Sequence, residues 1–298
     1  MKANWFLFLF CFCIGHRLSA QSFNAGTYNI RYANHGDSAK NNGWGQRYPV
    51  IVSMIRFHAM DIFGTQEGLY QQLEDLRNNL PGYTYIGVGR DDGRHAGEHS
   101  AIFYRTDKFD LLESGDFWLS TQTDHPNKGW DAALPRICSW GKFREKGTRF
   151  VFYMFNLHMD HVGVKARAES AKLILQKISG FPKNIPVILT GDFNVDQHNE
   201  SYALINHSGI LKDVYDLAPV KLATNGTFNS FDPDAGTESR IDHIFVSKAF
   251  TAKRYGILTD TYRARRTDSL PANTRNVFIA RMPSDHFPVM AELAHGKK

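Results

Sequence analysis

The chain is poor in cysteine, with three among its 298 residues. Cys11 and Cys13 lie in an apolar N-terminal segment, so removal of that segment would leave Cys138 as the one cysteine. A single cysteine forms no internal disulfide and supplies too few thiolates for a structural zinc site. An exported protein of this composition therefore needs a core large enough to hold the fold unaided.

Long apolar runs are also scarce. The longest, at residues 5–14, has ten residues, whereas a membrane-spanning helix needs roughly 20. Residues 1–20 combine Lys2, this run and small residues at their end, which is typical of a secretory signal peptide; the alternative is a buried strand. We expect a signal peptide over 1–20, one domain over 21–298, and export to the periplasm or the extracellular space.

Charge of one sign is only slightly in excess. The chain has 35 Lys plus Arg against 30 Asp plus Glu, a formal net charge of +5, which is weak evidence for an anionic partner. Hydrophobic residues make up 42% of the chain and aromatic residues 13%, so disorder is excluded as the main state. The one basic cluster, YRARR at 262–266, is predicted to lie in a loop that is either solvated or faces an anionic substrate.

Hydrophobic periodicity predicts strands that alternate with helices, with some runs of consecutive strands. This order favours an α/β fold of mixed sheets covered by helices. Helices are predicted over 48–57, 69–80, 164–178 and 202–206, and the third has one apolar face formed by Val164, Ala168, Ala171, Leu175 and Ile178. Strands are predicted over 23–31, 61–67, 83–90, 100–104, 109–119, 136–143, 149–158, 186–191, 241–247 and 287–292.

Polar side chains cluster where these strands begin or end, which is where functional loops leave a scaffold. Each has a simpler structural explanation: Glu67 suits a helix N-terminus, His158 suits a satisfied core position, and residues 192–194 suit an Asx turn. Together they supply carboxylates, amides and histidines without a thiolate. That set suits a hard cation such as Mg²⁺ and a histidine base oriented by a carboxylate, the parts that phosphoester hydrolysis needs.

The order of these motifs resembles the endonuclease/exonuclease/phosphatase superfamily, the group with the pancreatic deoxyribonuclease-like fold. The resemblance implies a four-layer α/β sandwich of two packed mixed sheets flanked by helices. It spans nearly the whole chain after residue 20. The matching motifs are Tyr28-Asn29-Ile30-Arg31, Gly64-Thr65-Gln66-Glu67, Gly97-Glu98-His99-Ser100, Asn156-Leu157-His158, Gly191-Asp192-Phe193-Asn194, Ile241-Asp242-His243-Ile244-Phe245 and Ser284-Asp285-His286.

The resemblance also implies roles for individual residues. Either Asp192 or His286 would take the proton of the attacking water, and the ordinary pKa of histidine favours His286. The implied set is Glu67 as the main metal carboxylate with Asn29 and Asp285 nearby, Asp192 and Asn194 orienting water and phosphate, His286 as catalytic histidine with Asp242 as its partner, His158 as a second histidine with Glu98 as its partner, and Arg136 as a phosphate contact.

Other stretches are similar to an exported bacterial branch of the superfamily that is nearest the deadenylase and nocturnin-like enzymes. Trp44, Trp118 and Trp130 either stack on a base or sugar ring or pack between loops and sheet. We expect a secreted phosphoesterase that depends on Mg²⁺ or Mn²⁺, is monomeric, has no stable membrane insertion, and acts on nucleic acid or nucleotide. The alternatives are a phospholipid, inositol phosphate or sugar phosphate as substrate, and a non-catalytic binding module on the same fold.

Overall fold

A computed structural model describes residues 21–222, 225–265 and 278–296. The predicted signal peptide and Arg266 lie outside these residues. The elements are β1 (Gln21–Asn29), α1 (His35–Ala39), α2 (Trp44–Phe57), β2 (Ile62–Gln66), α3 (Tyr70–Asn79), β3 (Tyr83–Ile86), β4 (Ile102–Arg105), β5 (Phe109–Trp118), β6 (Ile137–Glu145), β7 (Val151–His158), α4 (Val164–Ser179), β8 (Val187–Asp192), α5 (Glu200–Asn206), β9 (Lys212–Asp213), α6 (Val214–Leu217), β10 (Val220–Leu222), β11 (Asp242–Val246), β12 (Thr251–Ile257), β13 (Tyr262–Arg265), β14 (Phe278–Arg281) and β15 (Val289–His295).

Two large mixed sheets form the body of the molecule. The first has the strand order β10-β12-β15-β1-β2-β4-β3, and the second has the order β5-β6-β7-β8-β11-β9. A parallel pair lies near the centre of each sheet, β1 with β2 in the first and β7 with β8 in the second. Strands β13 and β14 pair antiparallel in a small separate sheet.

Three hydrophobic clusters correspond to the three interfaces of a four-layer sandwich. The central cluster lies between the sheets and includes Phe23 of β1 and Phe152 of β7. A second cluster packs Ile51 of α2 against the outer face of the first sheet, and a third packs Ile174 of α4 against the outer face of the second. Alternate residues of each central strand therefore face the two sides, as period-2 patterning requires. The expected α/β sandwich is confirmed.

Several local expectations are wrong. Residues 262–265 of the basic cluster form a strand rather than a loop. The buried face of α4 is formed by Ala166, Ser170, Ala171, Ile174 and Ile178, so Ala171 and Ile178 were placed correctly while Val164 is largely exposed. The third predicted strand, 83–90, ends at Ile86. Short or irregular elements such as α1, β9, α6 and β10 had no periodic signal.

No helix within the described residues is long and apolar enough to cross a membrane.

Candidate active site

Strand register brings three predicted residues side by side at one end of the second sheet. His158 at the end of β7 pairs with Asp192 at the end of β8, and Asp192 pairs across the ladder with Asp242 at the start of β11. Alternation puts Ile188 and Ile244 of these strands in the inter-sheet cluster, so Asp192 and Asp242 face the first sheet. The sequence order of the motifs thus becomes a row of neighbours.

The facing end of the first sheet contributes Asn29 and Glu67. Asn29 ends β1 and pairs with Gln66, the last residue of β2, so that Glu67 follows directly. Asp285 and His286 approach the same place from the segment before β15. They are held there by Ser284, whose hydroxyl donates to the Asn29 carbonyl at 2.6 Å, and by an isolated bridge between His286 and Phe228.

Left-handed backbone conformations occur at three non-glycine residues of this end. Arg31 has φ of 56°, Glu67 has φ of 62° and Asn194 has φ of 51°. Such conformations are costly for residues with a Cβ and concentrate where the chain must aim a side chain. Each follows a site strand by one or two residues and turns the side chain back over the strand end.

A layer of buried amides joins the two sheets directly beneath these residues. The Asn156 amide donates to the carbonyls of Thr65 (2.8 Å) and Ala101 (3.0 Å), and its oxygen accepts from Gln66 at 2.7 Å and from Thr190 at 3.0 Å. Gly64 lies against this amide, because a Cβ at Gly64 would overlap the Asn156 side chain. The layer fixes the spacing of the sheets where the site needs it.

His286 and Asp242 form a buried histidine–carboxylate pair. His286 Nδ1 lies 2.9 Å from Asp242 Oδ2, so the carboxylate accepts the Nδ1 proton and leaves Nε2 toward the site. Burial by itself lowers the pKa of His286, but the charges of Asp242 and Asp192 outweigh it and raise that pKa well above the usual value. This is the arrangement that fixes the tautomer of a catalytic histidine.

Asp192 lies at the centre of the site. Its Oδ2 accepts from Asn29 Nδ2 at 3.0 Å and lies 3.8 Å from His286 Nε2 and 3.5 Å from His158 Nε2. Its Oδ1 accepts from the Asn194 backbone amide at 2.9 Å. Burial and the charge of Asp242 raise the pKa of Asp192 to about 7. Asp192 and His286 are thus neighbouring titratable groups whose pKa values are both raised in the site.

The donor set around Glu67 suits a divalent cation. Glu67 accepts from Asn29 Nδ2 at 3.0 Å, and Arg31 Nη1 lies 3.9 Å from Glu67 and 3.4 Å from Asp285. Arg31 is thus one positive charge facing two carboxylates, and Asp192 accepts a hydrogen bond from the same Asn29 amide. Burial raises the pKa of Asp285. Hard oxygen donors with an excess of negative charge fit Mg²⁺ or Mn²⁺. The Asn29 amide presents its nitrogen here, so as a metal ligand it would have to turn.

A second acidic group, Asp192 with Asp242 and His286, also has ligand atoms within 4.8 Å of one another. Their closeness follows from the His286–Asp242 hydrogen bond and from the pairing of β8 with β11. Both groups therefore offer donor atoms for a cation.

Arg136 is held by two neighbours, Asp160 and His161, which lie in the turn before α4. Asp160 Oδ2 accepts from Arg136 Nε at 3.1 Å, and Arg136 Nη2 donates to His161 Nδ1 at 2.8 Å. Asp160 also accepts from the backbone amides of Val162 (3.0 Å) and Gly163 (2.7 Å). It therefore both shapes the turn before α4 and fixes the guanidinium.

Glu98 differs from its implied partnership with His158. Its carboxylate receives a bidentate pair from Arg90, at 2.7 and 2.8 Å, and lies 3.8 Å from His158 Nδ1, which is too long for a hydrogen bond. Burial and the charges of Arg136 and Arg90 lower the pKa of His158 well below its usual value. Arg90 carries no motif, so only the loop geometry reveals this pair.

All predicted site residues except Asn29 and Asp242, which lie beneath them, line one cavity of about 510 Å³ together with Arg31, Tyr32, Leu134, His161, Phe228 and Ile241. Its described lining contains no tryptophan. Trp118 is buried and donates to the Arg90 carbonyl at 2.8 Å, and Trp44 donates to Asp75 at 2.8 Å. Both contacts agree with the interpretation that these tryptophans pack within the protein. Trp130 lines a different cavity, beside α4.

The sequence model described as the Endonuclease/Exonuclease/phosphatase family matches residues 26–286. A protein of Bacteroides thetaiotaomicron named mannosyl-6-phosphatase is 59% identical, with a TM-score of 0.87 over 91% of this chain and 99% of that chain. An endonuclease/exonuclease/phosphatase family protein from Bacteroides thetaiotaomicron is 58% identical, with a TM-score of 0.89 over 93% of this chain and 99% of that chain. The human nocturnin catalytic domain shares the fold, at 19% identity and a TM-score of 0.67 over 94% of this chain and 95% of that chain.

Proposed function

Because the chain belongs to the endonuclease/exonuclease/phosphatase family and is thereby a phosphoester hydrolase, we propose that it is a phosphatase of small sugar phosphates, with a hexose 6-phosphate as substrate. The observation that carries this proposal is the 59% identity, over 91% of the chain, to the protein named mannosyl-6-phosphatase. The predicted preference for nucleic acid is not confirmed.

The cavity supports a small substrate. A volume of about 510 Å³ is within the range of small-molecule sites, and its described lining lacks the tryptophans expected to stack on bases. Arg263 and Arg265 of the basic cluster lie on β13 and do not line this cavity. The tryptophans and the described arginines of the basic cluster are therefore absent from the described lining of the catalytic cavity.

The chain's own residues supply the remaining parts of a hydrolysis. We propose that Glu67, Asp285 and Asn29 hold Mg²⁺, which when bound would neutralise charge on the phosphoryl oxygens. Asp192 and Asn194 orient a water for attack in line with the leaving oxygen. As the water oxygen bonds to phosphorus and the bond from phosphorus to the sugar oxygen breaks, Asp192 or His286 takes the proton of the water, and the sugar oxygen leaves as a hydroxyl after taking up a proton. Asp242 keeps the His286 ring in place, and Arg31, beside Glu67 and Asp285, offers positive charge to the phosphoryl group.

The test is a comparison of substrates with metal-depleted protein. Phosphate release from mannose 6-phosphate and from a nucleoside monophosphate, phosphocholine release from sphingomyelin, and cleavage of single-stranded RNA are measured with EDTA and then with added Mg²⁺. The proposal expects the highest kcat/KM for the hexose phosphate and restoration by Mg²⁺. Preferential cleavage of RNA, or turnover undiminished by EDTA, would contradict it. Asp192→Asn serves as the variant that excludes a contaminating phosphatase, since its rate should fall about 10³-fold or more.

Export remains a proposal that rests on residues 1–20. It expects that protein expressed with its own leader in a bacterial host is recovered outside the cytoplasm without those residues. Full-length protein retained in the cytoplasm would contradict export. Light scattering of the recovered protein tests the proposed monomer.

A further inference from the structure

Arg31 brings an accessible guanidinium into the catalytic cavity. It lines that cavity, 27% of its side chain is exposed, and its Nη1 lies 3.4 Å from Asp285 and 3.9 Å from Glu67. Its Nε and Nη2 donate to Asp37 at 2.8 and 3.5 Å. A guanidinium has five N–H donors, so three of those of Arg31 make no hydrogen bond to the described residues and are available to a ligand.

The side chain of Arg31 is oriented by the segment that begins α1. Asp37, which accepts from Arg31, also accepts from Asn34 Nδ2 at 2.6 Å, and its backbone amide donates to Asn34 Oδ1 at 2.8 Å. The guanidinium lies over the Tyr32 ring, 4.7 Å from the ring centroid. Because Asp37 holds the Nε side of the guanidinium, Nη1 is left facing the two carboxylates of the metal side.

The main chain of Arg31 is held by Arg47 of α2. Arg31 has the left-handed φ of 56°, and its carbonyl accepts from Arg47 Nη2 and from Gln72 Nε2, both at 3.0 Å. Arg47 Nη1 donates to the carbonyls of Ile30 at 2.7 Å and Pro283 at 3.0 Å. Arg47 therefore joins the chain that follows β1 to the chain that leads into β15, and these two segments carry the residues of the metal side.

Arg47 acts on the main chain alone. It is fully buried, and within the described residues its hydrogen bonds all go to backbone carbonyls, the fourth from Nε to Asn42 at 2.8 Å. The rings of Trp44 and Phe231 lie 5.3 and 5.5 Å from its guanidinium carbon and favour its charge. Burial of a charged group is costly unless its donors are satisfied, and here they are satisfied by fixing the backbone beneath the site.

A phosphate monoester differs from a diester at one oxygen of the phosphoryl group. In the monoester this oxygen is terminal, and the group carries about −1.5 to −2 charges near pH 7. In the diester the same oxygen carries a second organic group, and one negative charge remains. Hydrogen bonds from arginine to phosphate oxygens are strengthened by charge, so Arg31 gains more from the monoester, and a diester would leave its donors unpaired.

We propose that Arg31, held by Asp37 and Arg47, binds the terminal oxygen of a phosphate monoester and thereby selects monoesters over diesters. Arg31 is the residue that touches the substrate, and Arg47 is a positioning residue that acts through it. The inference rests on the proposed function and specifies the class of ester on which the same site acts.

The experiment compares two esters that release the same sugar. kcat/KM for release of mannose from mannose 6-phosphate and from its methyl diester is measured at Mg²⁺ concentrations that saturate each variant. Wild type should favour the monoester, and Arg31→Gln should lower the monoester-to-diester ratio by about 10-fold or more, the effect of one charge-assisted hydrogen bond. Arg105→Gln is the matched control, because Arg105 is 32% exposed and pairs with an aspartate, Asp107, but lies outside the described cavity lining.

Arg47→Lys tests the positioning role. Lysine keeps the charge but not the fork of donors that reaches separate carbonyls. The ratio should fall in the same direction, and it should fall no further when Arg47→Lys is combined with Arg31→Gln, because Arg47 acts through Arg31. A purely structural role would lower the melting temperature and leave the ratio unchanged. Asp37→Asn gives the same cycle if Arg47→Lys does not fold.

Binding measured by calorimetry gives the comparison without turnover, so a diester that reacts slowly does not prevent the test. The Kd of inorganic phosphate should rise about 10-fold or more in Arg31→Gln, and that of dimethyl phosphate by less than about threefold. Equal changes for both classes of ligand would overturn the selection of monoesters. Additive losses from Arg47→Lys and Arg31→Gln would overturn the positioning role. Failure of the proposed function looks different, because the wild type would then release no mannose from mannose 6-phosphate.

Discussion

Replacing Asp242 by Asn tests the histidine–carboxylate pair that the site depends on. Asp242 is fully buried and accepts the Nδ1 proton of His286 at 2.9 Å. The substitution keeps the shape but removes the charge that raises the pKa of His286 and fixes its tautomer. Loss of a charge-assisted hydrogen bond alone costs about 1.5–3 kcal/mol, or roughly 10- to 150-fold in rate. Loss of the correct tautomer can extend this to about 10⁴-fold.

The assay is steady-state phosphate release from mannose 6-phosphate at saturating Mg²⁺, with circular dichroism and thermal unfolding on the same samples. We expect kcat to fall by about 10² to 10⁴ while circular dichroism still shows a folded protein. The melting temperature should fall as well, because Asp242 pairs with buried His286 and removal of one partner of a buried pair is destabilising. Wild-type kcat would refute the pair's catalytic role. A collapsed fold would show that Asp242 acts structurally.

A second buried pair on the opposite face of β11 provides the control. His243 Nδ1 lies 3.5 Å from Asp213 Oδ2, and Tyr202 and Arg240 also contact that carboxylate. These groups are absent from the described lining of the catalytic cavity. Asp213→Asn should therefore lower the melting temperature while kcat measured well below that temperature stays near wild type.

Three further changes test the metal side, the amide layer and the turn before α4. Glu67→Gln should raise the Mg²⁺ concentration for half-maximal activity at least 10-fold, and an unchanged metal titration would remove Glu67 from the metal role. Gly64→Ala should destabilise the fold by about 2–4 kcal/mol in urea unfolding, because the new Cβ displaces Asn156. The control Gly45→Ala lies in α2 with open space around it and should leave the stability unchanged or raise it by up to about 1 kcal/mol. Equal destabilisation by both would contradict the amide layer. Burial acts to raise the pKa of Asp160, but hydrogen bonds from backbone amides outweigh it and lower that pKa. The contribution of Asp160 to stability is therefore present at neutral pH and is lost as the pH falls through the lowered pKa. Asp160→Asn should lower the melting temperature more at pH 7 than at pH 3, and an equal effect at both pH values would refute this.

The ends of the central strands could be predicted because they are local features. Asn29, Glu67, His158, Asp192 and Asp242 each follow or begin an apolar alternating run, and two facing sheets bring such ends together. What the sequence could not show is which ends face each other, since this depends on strand order and register.

The loop partners were beyond local patterning. Arg90 binds Glu98 eight residues away only because a loop closes between them, and Asp160 binds Arg136 only because the turn before α4 lies against the start of β6. The basic cluster was wrongly predicted to lie in a loop because its local sequence has little periodicity. Residues Tyr262–Arg265 form a strand by pairing with Phe278–Arg281, a partner distant in sequence that local periodicity does not reveal.

Hydrolysis in ¹⁸O-labelled water with Mg²⁺ is the most direct measurement of the central claim, that this site directs water onto the phosphorus of a hexose 6-phosphate. The account predicts one labelled oxygen in the released phosphate and none in the sugar, with release abolished in Asp192→Asn. Label in the sugar hydroxyl, or no phosphate released by the wild type, would contradict it.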